Sequence, residues 1–267
     1  MTGVYLVIID HKKRSTSRDC RDRQLADHGE WEDGSGAALS DIMDAVTKKP
    51  DLRVTPLVRD TLHERAYRRI CDLILDGEIA PGQVVTIQNL AQAFGVSTMP
   101  VREALKRLTA AGALSLVTGR SMGIPRLTLE RLADLRRVRL SVEGMATEWA
   151  AELIEPKELA RLRRQCTLLS RAAEDENVTD YLRANRAFHF IVYNAARSPT
   201  LVAIIETLWL QIGPYLNLLR GSGNYAASNA THRAIAQSLA AHDGKAAAKA
   251  LRADINDAYA ILSKMLR

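Results

Sequence analysis

The sequence predicts a mainly α protein in two parts: a small N-terminal unit of three helices with a β-hairpin, and a C-terminal all-α antiparallel helical bundle. Three observations carry this. Residues 81–118 hold two short helical periods, each closed by a glycine, and then an extended run. Residues 128–267 place apolar side chains at helical spacing almost without interruption. The interruptions there are short and carry Pro, Gly, Asn or Asp, which suits antiparallel neighbours joined by tight loops.

Residues 1–56 differ from the rest. A brief apolar run at 4–9 precedes mixed charges, no period persists beyond two turns, and a disordered extension is expected. Met43 is an alternative start. The remaining length is enough for two domains with real cores. Aromatic content of only 5% favours Ala/Leu-rich helices, and a net charge of +6 permits a polyanionic partner. No stretch approaches ~20 apolar residues, so no membrane span is expected and a cytoplasmic protein is. Cys20, Cys71 and Cys166 are widely spaced and read as free thiols.

A first domain is expected over 57–127. Thr61 can cap a helix whose buried stripe is Leu62, Ala66, Ile70, Leu73 and Ile74, with Asp76-Gly77 ending it. The next helix, 88–94, presents Leu90, Ala91 and Phe94 on one face, and Gly95 can take the left-handed conformation that closes it. Ser97 suits the following N-cap because its hydroxyl can accept an orphan N–H, and Pro100 lies in a first turn that needs no N–H. Val101, Ala104, Leu105 and Leu108 then repeat at helical spacing while Arg102, Lys106 and Arg107 point elsewhere. Gly112 stops the helix. A strand over 114–118, a turn at 119–121 and a return strand over 123–127 complete a winged helix-turn-helix. Its second helix is sized and charged for a DNA major groove.

The second domain, 128–267, divides into six periodic segments: about 128–153, 156–174, 178–196, 199–220, 226–241 and 244–265. Four polar residues fall on otherwise apolar faces. Asn185 and His189 are one turn apart beside Tyr181, Phe188 and Val192. His232 shares a face with Ser228, Ile235 and Leu239, and Asp254 with Leu251, Ala258 and Ile261. A carboxylate on an apolar stripe is costly unless paired or metal-bound. Two imidazoles, an Asp and an Asn carbonyl make a ligand set for a divalent cation such as zinc, nickel or manganese. The alternative is that Asp254 pairs with His189, His232 or Arg139 and no metal binds. Arg139 lies in the first bundle helix, where its guanidinium suits a small organic carboxylate. An intrahelical pair with Glu143 is the competing reading.

The residues Pro81-Gly82, Leu90-Ala91, Phe94-Gly95-Val96-Ser97, Pro100-Val101-Arg102-Glu103-Ala104-Leu105, Leu108 and Gly112 resemble, without a gap, the winged-helix domain of the GntR family of bacterial transcriptional regulators. The second half resembles the all-helical FCD effector domain of the FadR subgroup, through Val138-Arg139 with Glu143, Phe188-His189, His232 and the final Ala/Leu helix. The resemblance implies a dimeric, ligand-responsive regulator, more often a repressor, with one winged helix per half of a near-palindromic double-stranded DNA operator. It also implies a domain that often holds a metal through an Asp or Asn and three histidines. Asn185, His189 and His232 fall on three of those positions, and Asp254 stands where the third histidine is usual. The implied effector is a small organic acid bound at Arg139 and the metal, acting across a hinge at 126–130.

The expected DNA-facing residues are Gln88, Ser97, Thr98, Met99, Arg102, Lys106, Gly119 and Arg120. Ser97 and Thr98 open a helix that offers N–H groups to a phosphate. Arg102, one turn in, can donate bidentately to guanine O6 and N7, a pairing that discriminates by ~1–3 kcal/mol. Lys106 follows at i+4, and Arg120 in the wing suits the minor groove or a phosphate. Many family members carry Arg where this chain has Thr98-Met99, and Glu-Arg where it has Ile87-Gln88. The operator is therefore expected to differ from the common half-site, with a shallower salt slope by close to one unit per lost phosphate contact.

Two other classes share features with this sequence. His242-Asp243 with His189, His232 and Asp254 resembles the HD-type metal phosphohydrolases, which are also all-helical, but His and Asp are ordinary capping residues at a helix end and no phosphate-holding set accompanies them. An effector-independent DNA-binding protein is the other. The expectation adopted is a regulator and not an enzyme.

Overall fold

A computed structural model describes residues 62–118, 121–222 and 225–267. The expected N-terminal extension, the Thr61 cap, Cys20 and the wing-tip residues Gly119 and Arg120 lie outside the described residues.

The first helix, α1 (Leu62–Leu75), buries Ala66, Ile70 and Ile74, three residues of the expected stripe, while Leu62 stays exposed. Gly77, at φ +76°, turns the chain beyond it. A strand the sequence reading had not found follows, β1 (Val84–Thr86). Thr86 ends it and also caps α2 (Ile87–Phe94), its hydroxyl accepting from the Asn89 N–H at 3.1 Å. Gly95 closes α2 at φ +64° as expected. Ser97 takes the N-cap position of α3 (Thr98–Ala110), but its hydroxyl makes no capping bond. Val101, Ala104, Leu105 and Leu108 are buried.

The wing is shorter than expected. Strand β2 (Ser115–Thr118) pairs antiparallel with β3 (Ser121–Gly123), and β1 pairs with the other edge of β3, so the order is β1-β3-β2. The return strand had been expected at 123–127, but after Gly123 the chain leaves the ladder, and Ile124 and Leu127 are buried. The physical reason is the third strand: β3 is central, so its register answers to two neighbours, with Val84 and Ser115 both opposite Gly123.

The bundle helices are α4 (Leu129–Leu153), α5 (Pro156–Glu174), α6 (Val178–Ala195), α7 (Pro199–Leu216), α8 (Tyr225–Ala240) and α9 (Gly244–Met265), with a 3-10 turn, Asn217–Ser222, after α7. The expected breaks are capping sites. The side chains of Thr128, Asn177, Ser198 and Asp243 accept the first-turn N–H of α4, α6, α7 and α9. Helix α9 packs chiefly on α4 and α8, and α5 on α6. Counted with the following turn, α7 (Pro199–Leu219) is long and apolar enough to cross a membrane by length and composition, which the sequence reading had discounted. Half of that stretch is buried in the protein, with Leu201, Ile205, Trp209 and Ile212 inward.

The described residues form one compact unit, in which the winged helix packs on the bundle. Gly213 of α7 meets α1 where a Cβ would lie 2.8 Å from Leu75 Cδ2. On α6, Arg183 donates to Asp76 at 3.0 Å and Arg186 to Asp72 at 3.3 Å. The expected hinge is tethered: Leu127 is buried, and the Tyr215 hydroxyl donates to the Pro125 carbonyl just before it.

Candidate functional site

Helix α6 carries a stripe of polar residues inward. Asn185, His189 and Tyr193 succeed one another at i+4, and α4, α7, α8 and α9 close around them. His189 is 2% exposed and His232, from α8, 1%. Their Nε2 atoms lie 3.2 Å apart. Asp254, from α9, places Oδ2 3.4 Å from His189 Nε2. One ligand atom from each of the three lies within 4.8 Å of the others. Asn185 and Arg139 line the cavity beside them, with Trp209 and Ser228.

Hydrogen bonds assign the imidazole tautomers. The Tyr193 hydroxyl donates to Glu143 Oε2 at 2.5 Å, so its oxygen receives the His189 Nδ1 proton at 3.2 Å. His232 Nδ1 donates to the Ser228 carbonyl at 2.7 Å. Each ring therefore turns its Nε2 lone pair toward the other. Two lone pairs at that distance repel unless a proton or a cation lies between them. Outer hydrogen bonds that hold His in this tautomer are the usual companions of histidine ligands.

Electrostatics fit the same reading. Burial chiefly, with His189 adding, lowers the His232 pKa to about 4, against the pull of Asp254 and the Ser228 bond. Burial works against the Asp254 carboxylate, but the neighbouring His232, His189 and Arg139 together outweigh it and hold its pKa at about 2. At neutral pH this leaves an anionic Asp254 and a neutral His232, the forms that bind cations. Burial, then Glu143, raises Tyr193 well above its ordinary value, so it remains a donor. The residues present fit a divalent cation.

Arg139 makes the expected intrahelical pair and also stands at the cavity. It pairs with Glu143, Nε to Oε1 at 2.5 Å and Nη2 to Oε2 at 3.2 Å, and it also lines the cavity. Burial opposes the guanidinium charge, but Glu143 more than restores it and the Arg139 pKa rises. The 3.4 Å approach of Asp254 Oδ2 to His189 Nε2 serves the alternative internal pairing when Nε2 carries a proton and the ligand set when it does not. Sequence reasoning missed Tyr193, although its i+4 spacing from His189 was a usable signal. It also missed Trp209, for which only the fold supplies one.

The second candidate surface is on the winged helix. Gln88, Ser97, Thr98, Met99, Arg102 and Lys106 are all exposed. Gln88, Arg102 and Lys106 line one shallow concavity with Leu116 and Met122 of the sheet. Lys106 leans on Glu103 at 2.9 Å. The uncapped Ser97 hydroxyl leaves the start of α3 open toward solvent. Arg107 instead faces the fold, pairing with Glu64 at 2.9 Å and lying 3.7 Å over the Tyr67 ring. His242 and Asp243 are a turn: His242 has φ +55° and bonds the Ala151 carbonyl, and Asp243 caps α9.

Comparison with known proteins agrees with this division. Residues 62–124 match the bacterial regulatory proteins of the gntR family, and residues 134–257 match the FCD domain. The HTH-type transcriptional regulator McbR of Escherichia coli K12 is 34% identical over 143 residues, 54% of this chain and 65% of the relative. The chain thus spans just under two thirds of that relative's length. The HTH-type regulator Mce2R of Mycobacterium tuberculosis is 31% identical, over 59% of this chain and 79% of the relative. A probable D-xylose utilization operon transcriptional repressor of Paenarthrobacter nicotinovorans is 26% identical over 78% of this chain and 89% of the relative. The solved structure of E. coli McbR/YncC superposes with a TM-score of 0.73 at 28% identity, covering 78% of this chain and all of that one. This chain belongs to the GntR family of bacterial regulatory proteins, with an FCD helical domain following its winged helix-turn-helix.

Proposed function

We propose that this protein is a sequence-specific DNA-binding transcriptional regulator, a repressor acting as a homodimer in the cytoplasm, whose operator binding is controlled by a small carboxylate effector. The convergence of His189, His232 and Asp254 on one point, in the same compact unit as the winged helix, carries this reading. His189, His232 and Asp254, with Asn185 beside them, would hold a divalent cation: zinc, nickel or manganese. Bound there, such an ion supplies a Lewis-acidic anchor for a carboxylate oxygen. Arg139 supplies the second anchor, pre-oriented by Glu143. Gln88, Ser97, Thr98, Met99, Arg102 and Lys106 would face DNA, with Arg102 reading a base edge. For Gly119 and Arg120 the proposal that they face DNA rests on sequence position alone. The exposed apolar residues of α4, Val138, Met145, Trp149 and Leu153, offer a second copy a face to pack on. To release DNA the effector must bind better to the conformation whose two reading helices are wrongly spaced. The repressor reading draws on the P. nicotinovorans relative's name.

The test has two arms. Metal content is measured by mass spectrometry on protein purified without chelator or metal-affinity resin. Near one equivalent per chain is expected, and it disappears in the His189→Ala/His232→Ala double variant. Operator sequences are selected from random duplex DNA and binding is followed by anisotropy. Arg102→Ala is expected to lose about 1–3 kcal/mol of preference for the selected site. Binding without sequence preference in the wild type would refute the regulator reading.

A further inference from the structure

One residue lining the cavity carries a buried donor with no partner among the described residues. Trp209, on α7, is 2% exposed, and its indole Nε1 makes no hydrogen bond among the described residues. The ring lines the same cavity as Arg139 and His189, with Arg139 Cζ 5.6 Å and the His189 ring 5.3 Å from its centroid. A buried donor left unpaired is destabilising, and native proteins seldom carry one without a use. The cavity is small, about 70 Å³, and its lining is mainly apolar. Its polar groups gather at Arg139, Asn185, His189 and Asp254. The lining continues with Val178, Leu182, Leu216, Leu219 and Ile261, interrupted by Tyr181 and Asp257. Hydroxyls pressed on such a wall lose water and gain no partner.

We propose that the cavity takes a short carboxylate that is polar at one end and apolar at the other, and that the Trp209 indole N–H donates a hydrogen bond to its polar end. This rests on the effector reading above and narrows it, because a polyhydroxy acid leaves its tail hydroxyls unpaired against the apolar wall. Trp209 also lies one turn from Gly213, where α7 meets Leu75 of α1, so the donor stands on the helix that touches the DNA-reading unit.

The probes are 2-hydroxybutanoate and threonate, titrated calorimetrically into zinc-loaded full-length protein. They share the carboxylate and the 2-hydroxyl and differ only in hydroxyls on the tail. The expected result is binding of 2-hydroxybutanoate at least tenfold tighter than threonate. Trp209→Phe keeps the ring and removes the donor. It is expected to weaken 2-hydroxybutanoate by roughly tenfold or more, with zinc content unchanged. Val178→Thr, which alters the wall without touching Trp209, is expected to narrow the preference severalfold. Equal affinities, or a preference for threonate, would overturn the ligand class. An unchanged affinity in Trp209→Phe would overturn the donor role and assign water to Nε1. Failure of both acids to bind would overturn the inference, while the metal and operator measurements above decide the regulator reading separately.

Discussion

Replacing Glu143 with leucine removes a carboxylate that serves three donors at once. Glu143 is fully buried and accepts from Arg139 Nε at 2.5 Å, Arg139 Nη2 at 3.2 Å and the Tyr193 hydroxyl at 2.5 Å. Arg139, 6% exposed, keeps its charge with no counterion at hydrogen-bonding distance on its own helix. Breaking a buried pair from one side costs about 3–5 kcal/mol, because the remaining charge stays desolvated. Urea denaturation of Glu143→Leu is expected to show a loss of that size. The companion experiment is Arg139→Met/Glu143→Leu, which removes both charges and keeps the volume. Stability is expected to return to within about 1–2 kcal/mol of wild type, since apolar replacement of both partners is often nearly neutral. Cation affinity is not expected to return. Without Glu143 the Tyr193 hydroxyl is free to donate to His189 Nδ1, the tautomer holding Nε2 open is lost, and affinity falls about 10- to 100-fold. A Glu143→Leu loss below about 1 kcal/mol would refute the buried-pair argument. Restored stability together with restored cation affinity would refute the tautomer argument.

Three further outcomes follow from local geometry. Glu158 receives both Arg197 Nη atoms, at 2.7 and 2.8 Å, and that bidentate bond lowers its pKa below the ordinary value. A depressed folded pKa contributes stability above the unfolded pKa and loses it as pH falls through the folded one. Thermal melts of Glu158→Gln should therefore trail wild type at neutral pH and converge with it on acidification below the ordinary glutamate range; a constant gap would contradict this. Gly95→Ala forces a side chain into the left-handed region at φ +64°, with no neighbour to clash, and is expected to cost about 1–2 kcal/mol in denaturant melts. No loss there would mean the cap relaxes. Asp76→Ala removes the acceptor of Arg183 and loosens the α1–α6 contact, so limited proteolysis at residues 125–128 should accelerate. An unchanged cleavage rate would show that the Leu75–Gly213 packing and the Arg186–Asp72 pair hold the two parts without Asp76.

What the sequence by itself determined is local. Helix α3 is fixed by the apolar spacing of Val101, Ala104, Leu105 and Leu108 and by Pro100 in its first turn, all interactions within a few residues. The end of α2 at Gly95 and the caps at Thr128, Asn177, Ser198 and Asp243 are equally short-range, which is why the bundle segments fell close to where spacing put them. The polar residues on apolar faces were legible for the same reason. Strand β1 was not, because a three-residue strand has too few alternations to show a period and exists through pairing with β3, some 37 residues on. Arg107 looked like one more surface charge until Glu64 and Tyr67 of another helix reached it. Tertiary structure alone decided that His189 and His232, 43 residues apart, meet nitrogen to nitrogen, and that Tyr193 and Ser228 choose which nitrogen. It also decided that Trp209 arrives among them with its N–H unpaired among the described residues. Spacing along one helix specifies a face, but this ligand set needs the relative position of three helices, and that comes from how their apolar faces pack.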